Sequence, residues 1–142
     1  MIVTDLNLLV YAFDGSSPFH ERARRWLENL ARTEDEVGLA WVVCLGFVRI
    51  TTSKSYTNPI SRDSAMYIID SLLREPNFRI VEPGPQHWEI FTSLMRDAPN
   101  GANIVTDAHL AALAKEHRAE MHSNDRGFEH FKGIRLHNPL LD

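Results

Sequence analysis

With 142 residues, a net charge of −4, 44% hydrophobic and 24% charged residues, the sequence has the make-up of an ordinary globular chain of single-domain size. Such a chain buries roughly two-thirds of the surface it exposes unfolded. The charge excludes a protein that wraps nucleic acid by bulk attraction, and a single cysteine, Cys44, excludes an internal disulfide and suits a reducing cytosol. The uncharged run Gly38 to Val48 is well short of the ~20 residues that a membrane helix needs. Asp5 interrupts the place where a leader would lie, so no membrane association and a cytoplasmic location are expected.

The first thirteen residues set the organisation. Ile2 to Thr4 is a minimal apolar strand, Asp5 follows it, and Leu8 to Phe13 starts a packed helix. Asp5 is thereby placed at the carboxyl end of a central strand, the edge where open α/β sheets bind ligands. A plain helix cap is the simpler alternative for the same residue. Ser17 and Pro18 read as the N-cap and first residue of a second helix. Its apolar stripe is Phe19, Ala23, Trp26, Leu27 and Leu30, and its outer face carries Glu21, Arg22, Arg25 and Glu28.

Val37 to Ala40 is a second strand, Trp41 to Ile50 a helix and Thr51 to Pro59 a polar loop. Ser61 caps a further helix with a stripe of Ala65, Ile68, Ile69, Leu72 and Leu73, and Pro76 ends it. Phe78 to Val81 is a third strand, and helical spacing returns at Trp88, Phe91, Leu94 and Met95. Ile104 to Lys115, dense in Ala and Leu, is helical. Ala119 to Ser123 is a fourth strand, and Ile134 to Leu136 a fifth, at the edge. Strands alternating with helices imply one domain over 1–142, a three-layer α/β/α fold with a mostly parallel five-stranded sheet.

Two further carboxylates occupy positions comparable to that of Asp5. Asp125 closes the fourth strand, and Asp107 lies early in the Ala-rich helix, on the face of Leu110, Ala111 and Ala114. A carboxylate on an inward apolar face is costly unless something neutralises it. Three ionised carboxylates about 5 Å apart repel by on the order of 3 kcal/mol per pair at an effective dielectric near 20. A hard divalent cation removes that cost, and oxygen ligands suit Mg²⁺ or Mn²⁺. Three separate caps and surface acids are the alternative.

The residues at these positions also carry a resemblance. Met1-Ile-Val-Thr-Asp5-Leu-Asn7-Leu-Leu-Val-Tyr-Ala12 resembles the opening of a PIN domain. Asp107-Ala-His-Leu-Ala-Ala-Leu-Ala resembles that family's third acidic motif, and His122-Ser123-Asn-Asp125-Arg-Gly-Phe128 with Asn138-Pro139-Leu140 its closing motif. Leu45-Gly-Phe-Val-Arg49 followed by Thr57-Asn58-Pro59 is similar to the VapC toxin branch. The resemblance implies a metal-dependent endoribonuclease toxin, using Mg²⁺ (or Mn²⁺) to hydrolyse RNA and held inactive by a VapB-like antitoxin. It implies metal-site and catalytic roles for Asp5, Asp107 and Asp125. Ser123 takes the hydroxyl position that orders the site, and Asn7 is a supporting polar group. It further implies a homodimer, and a groove between helices near the Phe19, Trp26, Leu30 stripe that takes the antitoxin. An antitoxin Arg reaching the acids would occupy the place of metal and substrate.

Two positions depart from the family pattern. The usual second acid, a Glu just before Leu-Gly-Phe-Val-Arg, falls on Cys44, and a second closing Asp is Gly127. Soft sulfur suits Mg²⁺ poorly, so Cys44 is expected to be a buried thiol. Arg49 and Arg126 are candidate phosphate contacts. His109 lies about 200° round the helix from Asp107 and should point away from the acids, as should His122, which alternates with Ser123. Asp97 could replace the missing Glu only if its loop folds over the sheet edge. The rival functions are a degenerate PIN domain that binds RNA or protein without cleaving, and a receiver-like phosphoacceptor. A receiver needs paired acids after the first strand and a late Lys; this chain has Thr4-Asp5 and Arg126.

Overall fold

The computed structural model describes all residues, 1–142. Five short strands, β1 (Ile2–Thr4), β2 (Val37–Ala40), β3 (Phe78–Val81), β4 (Glu120–His122) and β5 (Arg135–His137), form one sheet in the order β3-β2-β1-β4-β5. Every neighbouring pair is parallel, so the sheet is wholly rather than mostly parallel. Six helices connect the strands: α1 (Leu6–Phe13), α2 (His20–Arg32), α3 (Trp41–Thr51), α4 (Arg62–Leu73), α5 (His87–Asp97) and α6 (Ile104–Glu116).

Right-handed crossovers fix the layers. The chain steps outward from β1 through β2 to β3, then returns past β1 to β4 and on to β5. That reversal sends α1 to α4 to one face and α5 to α6 to the other. The packing agrees: α1 contacts α2 and α3, α3 contacts α4, and α6 contacts α5, β1 and β4. The strand order also differs from the 2-1-3-4-5 order of receiver-like sheets, which removes that rival. The connections change direction between β1 and β4, and their carboxyl ends form the crevice of such a sheet.

A single cluster of 33 buried apolar residues joins both layers through the sheet. Val3, Leu39 and Met121 from the strands meet Leu8, Leu9, Phe47, Leu110 and Leu113 from the helices, all fully buried. In α6, every residue from Leu110 to Ala114, and Ala108 before them, is buried. Its small side chains let it lie against β1 and β4.

Several element boundaries differ from expectation. Helix α1 begins at Leu6, because Asp5 accepts the Leu6 N–H at 2.7 Å and caps it directly. Helix α2 begins at His20, not Pro18. Ser17 closes a preceding turn, its hydroxyl taking the Phe19 N–H and its carbonyl the His20 N–H. Phe19 therefore sits outside the helix, 38% exposed, while Trp26 and Leu30 are core. Thr51 ends α3 instead of opening the loop, bonding back to the Phe47 carbonyl. Helical spacing resumes at Trp88 as expected, and there the indole is 73% exposed while Leu94 is buried. Ser61 caps α4 as expected, taking the Ser64 N–H.

Candidate active site

The acids meet at the topological reversal. Asp5 leaves β1, Asp125 follows β4, and Asp107 enters from the first turn of α6, which packs against both strands. All three line one pocket of about 250 Å³, together with Asn7, Val42, Val43, Arg49, Asn103 and Thr106 among others. Asp5 is thus both a helix cap and a member of the acidic cluster. The two readings of that residue are compatible because its two oxygens do different work.

Ser123 ties the cluster together. Its hydroxyl donates to Asp5 Oδ2 at 2.6 Å and accepts the Asp125 N–H at 2.9 Å. Asp5 Oδ1 takes the Leu6 N–H, and Asp125 Oδ1 takes the Gly127 N–H at 2.7 Å, capping the short 3-10 turn Arg126–His130. Asp107 differs from both. No hydrogen bond holds its carboxyl in place, although its backbone N–H bonds to the Asn103 carbonyl at 3.0 Å.

The electrostatics follow from this placement. Burial, then the charges of Asp5 and Asp125, push the Asp107 carboxyl up to about 7. Burial likewise raises Asp5, against the lowering pull of the Ser123 and Leu6 hydrogen bonds, and the charge of Asp125 adds to the rise. Like charges held in one pocket destabilise each other's ionised forms. No cation of the chain offsets them at Asp107, even though Arg49 reaches the same pocket.

Asp5, Asp107 and Asp125 are the residues able to hold a hard divalent cation there. The donor set is all oxygen, Asp107 is uncommitted, and Asp5 and Asp125 keep lone pairs beyond those used by their donors. No three carboxylate, His or Cys side chains anywhere converge into a finished cage. An open arrangement is nonetheless what Mg²⁺ accepts, since it keeps several waters and shares ligands with substrate phosphate. The residues fit the ion as a partial, solvent-completed site.

The remaining candidates divide. Asn7 and Arg49 line the pocket, whereas Arg126 does not; its side chain is 87% exposed and pairs with Glu129 at 3.5 Å. Arg126 directly follows the capping Asp125, and the turn that begins there projects it outward. Asp97 is exposed at the end of α5 and lies outside the pocket, so it does not replace the missing Glu. Nor does Cys44. It is buried in the core, its thiol pushed up to about 11 by burial, and α3 turns Val42 and Val43 to the acids instead. A Cβ at Gly127 would lie 3.0 Å from Asp125 Oδ1 and 3.8 Å from Asp107 Oδ2. The site therefore has three acids and no fourth.

Both histidines turn away. His109 bonds to His87 at 2.9 Å, in a different groove. His122 Nδ1 accepts the Trp26 indole N–H at 3.0 Å, which leaves its Nε2–H to donate to Glu120 at 2.8 Å. Sequence reasoning missed Asn103 and Thr106; the signal was available in Asn103, which precedes Asp107 by four residues and shares its helix face.

A family model described as PIN domain matches residues 2–134. Ribonuclease VapC37 of Mycobacterium tuberculosis is 39% identical over 140 residues, covering 98% of this chain and 97% of that one. Ribonuclease VapC33 of the same organism is 33% identical over 143 residues, covering 100% of both chains. Among solved structures, VapBC2 from Rickettsia felis, bound to a DNA fragment from its promoter, superposes with a TM-score of 0.69 at 19% identity. That match covers 97% of this chain and 98% of the other. VapC20 of Mycobacterium tuberculosis, described as a sarcin-ricin loop cleaving toxin, gives 0.67 at 16% identity over 95% and 99% of the two chains. The structural likeness carries the fold, and the sequence matches carry the relationship: the chain belongs to the PIN-domain family, in its VapC branch.

Proposed function

We propose that this chain is a metal-dependent endoribonuclease, the toxin of a type II toxin–antitoxin pair, inhibited by a VapB-like antitoxin. The observation that carries the reading is the meeting of Asp5, Asp107 and Asp125 in one pocket with no protein cation at Asp107. Full-length similarity to proteins named VapC ribonucleases supports RNA as the substrate. Mg²⁺ or Mn²⁺, when bound, would neutralise charge on the scissile phosphate and acidify the attacking water.

The chain's own groups do the rest. Ser123 holds Asp5 and the backbone of Asp125 in fixed relation. Asp107, raised to about 7, must lose its proton before it acts as a ligand. Arg49, at the pocket wall, supplies a cation for the RNA backbone, and Asn7 beside it an amide for the substrate. The antitoxin is assigned to the outer surface of the neighbouring helices; of the stripe Phe19, Trp26 and Leu30 only Phe19 is exposed, the other two being core.

A non-cleaving RNA- or protein-binding domain is the competing reading, and it rests on the valines of α3 where an acid is usual. Purified protein free of antitoxin, incubated with total RNA and Mg²⁺, Mn²⁺ or chelator, decides between them. Metal-dependent cutting, lost in Asp107→Asn and suppressed by added antitoxin, supports the nuclease. RNA left intact with both metals would falsify it.

A further inference from the structure

Five elements of this chain start at a residue whose side chain is of the capping type: Asp5, Ser61, Asn103, Asp125 and Asn138. Four use that side chain to hold a backbone N–H of the element they open. Asn103 alone does not. Its backbone sits at φ −99°, ψ 2°, outside the extended conformation that brings a cap side chain onto its helix. Its amide is exposed and bonds to no other group of the protein, although its backbone carbonyl takes the Asp107 N–H.

The position of that amide gives it a use. Asn103 precedes Asp107 by one helical turn, on the same face, and lines the acid pocket with it. Thr106 lines the same wall, and its hydroxyl too lacks a protein partner. Hydroxyls at Thr51, Thr52 and Ser71 instead bond back to their own helix. An amide offers a donor and an acceptor together. A phosphate oxygen uses only the donor, whereas a nucleobase edge or a ribose 2′-hydroxyl uses both, and of these only a base contact ties the residue to the choice of cleavage site.

We infer that Asn103 is a substrate-binding residue that holds the base edge of the nucleotide beside the scissile phosphate, with the Thr106 hydroxyl alongside. The inference rests on the ribonuclease reading above. It makes Asn103 a determinant of where the RNA is cut, not of whether the acids work.

The test pairs cleavage with binding, using the full chain and a defined RNA that the wild-type protein cuts. Asn103→Ala should raise KM and weaken RNA binding in the Asp107→Asn background by roughly three- to ten-fold, the range of one or two neutral hydrogen bonds. It should leave kcat and Mn²⁺ affinity within about two-fold and relax the choice of cleavage site. Asn103→Asp keeps the size of the side chain and should lose more RNA affinity than Ala by repelling phosphate. Tm should not fall in Asn103→Ala, whereas a purely structural Asn would lower it. If wild type cuts RNA and Asn103→Ala keeps its KM and its site pattern, the inference fails while the nuclease reading stands. If wild type neither cuts nor binds RNA, the nuclease reading fails first.

Discussion

Adjacent residues of one strand end put two polar clusters on opposite sides of the sheet. His122 turns toward α2, where the Trp26 indole and Glu120 satisfy both ring nitrogens. Ser123, the next residue, turns to the acid pocket, where Asp107 has no protein partner at all and two like charges beside it. Both clusters are partly buried and both contain groups moved off their usual pKa, for His122 downward, chiefly by burial. The difference lies in closure. The histidine network completes itself from within and so contributes stability. The acid cluster is not closed by any cation of the chain, and partly buried like charges of that kind mark a candidate site.

The largest expected effects come from breaking each side. Asp107→Asn should abolish cleavage, by about three orders of magnitude or more in line with loss of an essential catalytic group, without lowering Tm at pH 8. Trp26→Ala should do the reverse. It removes a core side chain and leaves His122 Nδ1 unpaired, costing about 3–5 kcal/mol in denaturant unfolding, while the protein that remains folded still binds Mn²⁺. If Trp26→Ala spared stability but abolished metal binding, the division between the two clusters would be wrong.

A pH series sharpens the comparison at lower amplitude. The Asp107 carboxyl is raised to about 7 from a usual value of 3.8. The folded protein therefore holds a proton that the unfolded chain has released between those values. Its stabilising contribution is full below pH 3.8 and is lost as pH climbs through 7. Metal-free wild type should accordingly lose Tm from pH 5 to pH 8 more steeply than Asp107→Asn, measured by calorimetry in chelator. Equal slopes would mean that Asp107 titrates normally.

The smallest effect is expected at Cys44. Its thiol is buried and pushed up to about 11, so a thiol reagent should modify native protein far more slowly than denatured protein. Cys44→Ala should cost roughly 1 kcal/mol or less through lost packing and leave cleavage intact. Loss of metal affinity in that variant would restore Cys44 as a ligand.

The strands, the helix order and the meeting of the three acids in one pocket were legible, because short apolar runs ending in a carboxylate constrain the backbone strongly at Asp5 and Asp125, and an inward face marks Asp107. Strand β2 (Val37–Ala40) and the Ser61 cap came out at their expected residues. What was not legible depended on partners distant in sequence. The spacing of Trp88, Phe91, Leu94 and Met95 marks a helix, but not which of its side chains is covered: Leu94 is buried and Trp88 is 73% exposed. Arg126 lies beside Asp125 in sequence, yet the turn that Asp125 caps projects it away. Val42 and Val43, not Cys44, face the acids, and a rotation of that size about a helix is invisible in a run with no polar residue to mark the face. The residue type of Asn103 does not mark it for a site, since an Asn just before a helix ordinarily caps it.

The most direct test of the open acid cluster is a Mn²⁺ titration of the purified protein, followed by calorimetry at pH 6 and pH 8, beside Asp107→Asn. The account predicts one class of site whose affinity rises with pH as Asp107 gives up its proton, and a large loss of both affinity and pH dependence in the variant. Equal Mn²⁺ binding by wild type and variant, or none by either, would contradict it.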